Sequence, residues 1–260
     1  MTARSELEAA AATWREWSAR GEFEAGAAAM QAALDAPGAE APTAARVRVL
    51  YAAGVFAFRL GDQERSRALN EEALATAREV SDLQGECDAL TGLARVALRD
   101  GDYGRVVELA TAARTLAQQA NDQAAEAPPL HLHAAGVRLG GHYDDARRLY
   151  LESLELNTEL GNGPWQAMEL HNLGWVELHR GDLDAAAARF AEREARGAGE
   201  DAYSDAWQDL NRAALAVARG ERKEAKAWFE AGTAKLGALD AALDPDDQFE
   251  YDWLRAQLEA

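Results

Sequence analysis

The sequence has little of what most functional classes require. Its 260 residues hold a single cysteine, Cys87, so no internal disulfide can form, and no Cys/His spacing reads as a zinc site. Valine and isoleucine are sparse and no run alternates with period 2, which argues against a sheet. No stretch approaches the ~18 apolar residues of a membrane span. The start, Met-Thr-Ala-Arg-Ser-Glu, has no apolar run like that of a signal peptide, so a cytoplasmic protein is expected. Positive charge is also scarce: 27 Lys and Arg face 45 Asp and Glu, a formal net charge of -18. That balance disfavours nucleic acid and anionic membranes as partners. Catalytic signatures are missing as well, with no Gly-x-Ser-x-Gly elbow, phosphate loop, dinucleotide fingerprint or His-Glu-x-x-His. The expectation is a non-enzyme with no cofactor and no metal.

What is present is a repeat. Turn glycines at Gly21, Gly61, Gly101, Gly141, Gly181 and Gly220 lie 40, 40, 40, 40 and 39 residues apart. Around one of them, Leu170-x-x-Leu173-Gly174, then Gly181-Asp182, then Ala186-x-x-x-Phe190 place apolar or small groups at helical spacing on both sides of a break. Alanine, leucine, glutamate and arginine dominate, and all favour helix. Gly54 and Gly174 share one slot, where a missing side chain lets neighbouring helices approach closely.

This pattern resembles the tetratricopeptide repeat, a helix-turn-helix unit. Its 40-residue period exceeds the family's usual 34 and is similar to the longer repeats of kinesin light chain and of sensor regions in bacterial regulators. The resemblance implies an all-α, right-handed solenoid of about six helix pairs, read as one domain over 1–260. Residues 1–36 form an atypical first pair, 43–240 hold five repeats, and 245–260 form a C-terminal capping helix begun by Asp244-Pro245-Asp246-Asp247. Pro128-Pro129 fall inside an expected first helix and should kink it or delay its start.

In this family the first helix of each pair lines a concave groove where ligands lie. Counted from the turn glycines, the inward slots hold Tyr51, Thr91, His131 and His171, then Val55, Arg95, Ala135 and Trp175. Further slots add Arg59, Arg99, Arg138 and His179, with Arg48 and Asp88 near helix starts. These slots invert the chain's average charge, and a basic strip in a concavity attracts an anionic partner. Arginine suits carboxylates through its planar fork. The histidines suit hydrogen bonding or a pH response. In peptide-binding members an asparagine two before the conserved small residue clamps a ligand backbone, which points to Asn172 and, one unit later, Asn211. The first expectation is therefore an extended acidic peptide or protein segment in the groove. A second is a small anionic or aromatic ligand in the superhelix interior, and a third is a scaffold that uses its convex face.

Overall fold

A computed structural model describes residues 3–196, 202–239 and 243–259. Thirteen α-helices occupy them, and no strand occurs among the described residues. In chain order they are α1 (Ala3–Ala19), α2 (Phe23–Leu34), α3 (Ala44–Arg59), α4 (Gln63–Val80), α5 (Leu83–Arg99), α6 (Tyr103–Ala120) and α7 (Gln123–Leu139). They continue with α8 (Tyr143–Glu159), α9 (Gly163–His179), α10 (Leu183–Ala195), α11 (Ala202–Ala218), α12 (Arg222–Leu239) and α13 (Pro245–Glu259). The first twelve make six hairpins at the spacing the turn glycines announce.

The hairpin turns follow from two adjacent residues. Each turn glycine adopts a left-handed conformation, as in Gly61 and Gly181 with φ of 82°, which a side chain would disfavour. The Asp182 amide donates back to the Glu177 carbonyl (2.9 Å) and the Gly181 amide to that of Leu178 (2.9 Å), closing the end of α9. Asp182 then caps α10 by accepting from the Ala185 amide at 3.1 Å. Asp62 and Asp102 repeat this cap at the Arg65 and Arg105 amides.

Packing is close where the sequence omits side chains. A Cβ at Gly174 would fall 2.2 Å from the Phe190 ring, and Cβ atoms at Gly54 and Gly92 would both strike the Asn70 amide. The expected delay at Pro128-Pro129 does not occur: α7 starts at Gln123 and runs through both rings. Pro129 cannot donate to the Ala125 carbonyl, one turn back. The Cys87 thiol faces that carbonyl at 3.9 Å and donates in its place. Burial pushes the thiol pKa up to about 12, with Asp88 adding to the shift, so the proton it donates is retained.

Cα packing divides the chain into two compact units, residues 1–132 and 133–260, with the division inside α7. In unit 1, Leu7, Met30, Val49 and Phe56 form a buried cluster flanked by Trp14, beside a second cluster of Val47, Leu50, Ala73, Ala77 and Ala89. In unit 2 the core is aromatic: Trp175, Phe190 and Trp207 pack with Leu178, Leu210, Leu236 and Leu254. The unpaired α13 packs on α11 and α12 and carries Leu254 into that core.

Candidate binding faces on the first helices

Unit 2 gathers six of the ten candidate residues. Along α9, His171, Trp175 and His179 recur every four residues and so share one face. Tyr203, Trp207 and Asn211 do the same on α11, and Arg138 adds a guanidinium from the end of α7. Against this face lies α13.

Glu250 of α13 is fully buried and bridges two of the candidates. One carboxylate oxygen accepts from Arg138 Nη1, and the other meets His179 Nε2 at 2.8 Å. Arg138 Nη2 also lies 3.5 Å from Asp246. Burial opposes the charge on Arg138, but the Tyr150 phenol, Glu250 and Asp246 outweigh it and hold its pKa above the ordinary value. His179 stacks on Tyr143 (ring centroids 5.0 Å apart) and meets Trp253 edge-on at 5.1 Å.

A second set runs through Asp247. Its carboxylate accepts from the Tyr203 hydroxyl at 2.5 Å and stands 3.5 Å from His171 Nε2. Behind His171, the Asn211 amide nitrogen is 3.3 Å from Nδ1, while the Asn211 oxygen accepts from Trp175 Nε1 at 3.0 Å. This fixes the tautomer: Nδ1 accepts, so Nε2 carries the proton and points to Asp247. Burial, reinforced by Arg193 and Arg138, lowers the His171 pKa to about 3, and burial raises that of Asp247 to about 7. The imidazole is therefore neutral at pH 7.

The sequence-derived roles divide accordingly. Trp175 is completely buried and acts as core. Asn172 is also buried, and its amide donates to the Met168 carbonyl of its own helix at 3.2 Å. Arg138, His171 and His179 all meet the chain's own acidic helix, α13. Tyr150, Tyr203, Asp246, Asp247, Glu250 and Trp253 were not nominated from sequence. The signal lay in α13, where Asp246, Phe249, Glu250 and Trp253 fall on one helical stripe.

In unit 1, Arg95 Nη1 donates to the Tyr51 hydroxyl at 3.1 Å. Arg99 donates to the Phe58 carbonyl at 3.1 Å and lays its guanidinium 3.9 Å over the Phe58 ring. Trp14 meets Tyr51 edge-on at 5.9 Å, and Arg15 covers the Trp14 ring at 4.6 Å. His131 is buried, whereas Arg48 and Arg59 are exposed.

Asp88 takes a hydrogen bond from Gln84 at 3.1 Å and feels the charges of Arg15 and Arg95. Burial nevertheless raises its pKa to about 6. A raised carboxyl pKa means the folded chain holds the proton more tightly, so the stability tied to Asp88 falls as pH climbs from about 4 through 6. Asp88→Asn is expected to raise the thermal midpoint at pH 7.5, by roughly 1 kcal/mol of stability, and to give no gain at pH 4. Equal shifts at both pH values would show that ionisation of Asp88 carries no penalty.

Two clefts open at hairpin turns of unit 2. One is lined by Arg180, Gly181, Asp182, Leu183 and Asp184, and the other by residues 141–145 with Arg180. Neither is lined by Arg138, His171 or Trp175, the residues expected around a small ligand.

Comparison with known proteins bears on the fold. A family model described as tetratricopeptide repeat matches residues 126–196. The apo form of RapI superposes with a TM-score of 0.72 at 13% identity, covering 98% of this chain and 99% of that one. BtubC from P. vanneervenii gives 0.62 at 18% identity, with 94% of each chain covered. The Rap conjugation gene regulator of plasmid pLS20, solved in complex with the Phr* peptide, gives 0.62 at 12% identity, covering 90% of this chain and 75% of that one. No curated protein matches the sequence. Residues 126–196 are tetratricopeptide repeat, and the chain has the fold of the tetratricopeptide-repeat solenoids.

Proposed function

We propose that this chain is a non-catalytic binding protein whose first-helix faces hold acidic segments of a partner protein. One observation carries the reading: side chains of the first helices α7, α9 and α11 already accommodate an acidic helix, with Arg138 and His179 on Glu250 and with Tyr203 and His171 around Asp247. The same slots in unit 1 present Arg95 and Arg99 beside Tyr51 and Phe58, the combination of guanidinium and aromatic ring that recognises carboxylates next to apolar side chains. The fold shared with a regulator solved in complex with a peptide supports the same class of role.

The occupant of unit 2 is helical rather than extended, so the faces are read as accepting acidic side chains and not a particular backbone form. A labelled peptide of alternating Glu and Phe, titrated by fluorescence anisotropy, should bind the full chain, while its Lys-for-Glu counterpart should not. Arg95→Glu with Arg99→Glu should weaken binding at least tenfold, and added salt should weaken it further. Equal binding of both peptides, or no effect of the double substitution, would remove the arginines from the site.

A further inference from the structure

We propose that α13 is a resident competitor: it fills the inner face of unit 2 with the pattern Asp247-x-x-Glu250-x-x-Trp253, and a partner helix carrying the same acidic-aromatic pattern displaces it. This rests on reading the first-helix faces as protein-binding surfaces.

Three features separate α13 from a purely structural closing helix. It follows six complete hairpins and packs on α11 and α12 rather than on a hairpin mate among the described residues. Beside its apolar contacts through Leu254 and Trp253, it meets the face through ionisable groups, since Asp246, Asp247 and Glu250 all turn toward Arg138, His171, His179 or Tyr203. Buried ion pairs often give no more net stability than well-packed apolar groups of the same volume, and in some systems they fix which partner sits where. A helix whose seat is specified by such pairs can be exchanged for another that supplies the same pairs and the same aromatic contact.

The third feature is an imperfect fit. Asp247 faces an imidazole whose Nδ1 is already engaged with the Asn211 amide, in a setting that also holds Arg193, Arg138, Asp246 and Glu250. The Asp247 carboxyl group therefore faces the His171 Nε2–H at 3.5 Å, long for a hydrogen bond, and takes its close contact from Tyr203 instead. Trp253 is half-buried, set edge-on against both Trp175 (5.9 Å) and His179 (5.1 Å). An incoming helix with an aromatic at that position would meet the same two rings.

The test uses the full chain and a labelled synthetic peptide of residues 244–259. Wild-type chain should bind it at least tenfold more weakly than Glu250→Ala/Trp253→Ala chain, in which the resident helix has lost its bridge and its ring. Adding His179→Gln to that unlocked chain should return binding to the wild-type level or below. Circular dichroism establishes that each chain is folded, and Trp253→Ala alone serves as the milder unlocking variant. Equal affinity for locked and unlocked chains, or no binding to any folded variant, overturns the exchange of α13. Neither result touches the broader reading, which stands or falls on the Arg95 and Arg99 substitutions in unit 1.

Discussion

Arg138→Ala is expected to lower the stability of unit 2 by about 3–5 kcal/mol, the range seen when one partner of a buried ion pair is removed. The thermal midpoint should drop by on the order of 10 °C. Arg138 is 1% exposed and Glu250 is fully buried, so truncation leaves the Glu250 carboxylate in the interior, with His179 still against it but the guanidinium gone. Tyr150 would lose its neighbour as well. Because the largest part of this loss is the stranded charge, Arg138→Met with Glu250→Leu should recover most of it. Thermal denaturation of the three chains decides the matter. A loss under 1 kcal/mol for Arg138→Ala would mean that Glu250 reaches water when its partner goes, and that α13 is held by its apolar side alone.

The sequence made the hairpins legible because their signal is local and repeated. A glycine that turns the chain and an aspartate that caps the next helix stand side by side, at Gly61-Asp62, Gly101-Asp102 and Gly181-Asp182. The four-residue spacing of His171, Trp175 and His179, which puts them on one face of α9, was legible in the same way. What it could not reach was set by contacts between distant residues. Arg138 and Glu250 are 112 positions apart and belong to no common period. The acidic start of α13 therefore read only as the start of a capping helix, although its stripe of Asp246, Phe249, Glu250 and Trp253 was visible.

Two other departures have the same origin. Pro128 and Pro129 promised a kink or a late start, but α7 starts at Gln123, and the carbonyl that Pro129 leaves open is met by Cys87, 38 residues away from Ala125. Asn172 had the side chain of a ligand clamp, yet its amide turns along α9 to the Met168 carbonyl. In both cases the local rule was sound, and tertiary packing supplied a partner that the rule did not include.

Trp175 gives the sharpest division between a binding residue and a core residue. Trp175→Ala is expected to cost about 3–5 kcal/mol, the usual range for deleting a large buried aromatic. The ring is fully buried and sits edge-on to Phe190 (6.3 Å), Trp207 (6.4 Å) and Trp253 (5.9 Å). Truncation also leaves the Asn211 oxygen without the Trp175 Nε1 donor, a further penalty of roughly 1–3 kcal/mol for a buried acceptor. Trp175→Phe keeps most of the ring contacts and loses that donor, so it should cost much less than the alanine change. A ligand-facing tryptophan on an open surface would behave otherwise, with both substitutions inside about 0.5 kcal/mol. Chemical denaturation ranks the two variants. Hydrogen exchange adds the link to α13: because Trp253 packs on Trp175, α13 amides should exchange faster in Trp175→Ala and remain near wild type in Trp175→Phe. If both variants left α13 protection unchanged, the aromatic contact would contribute nothing to holding that helix, and the bridge through Glu250 would carry it alone.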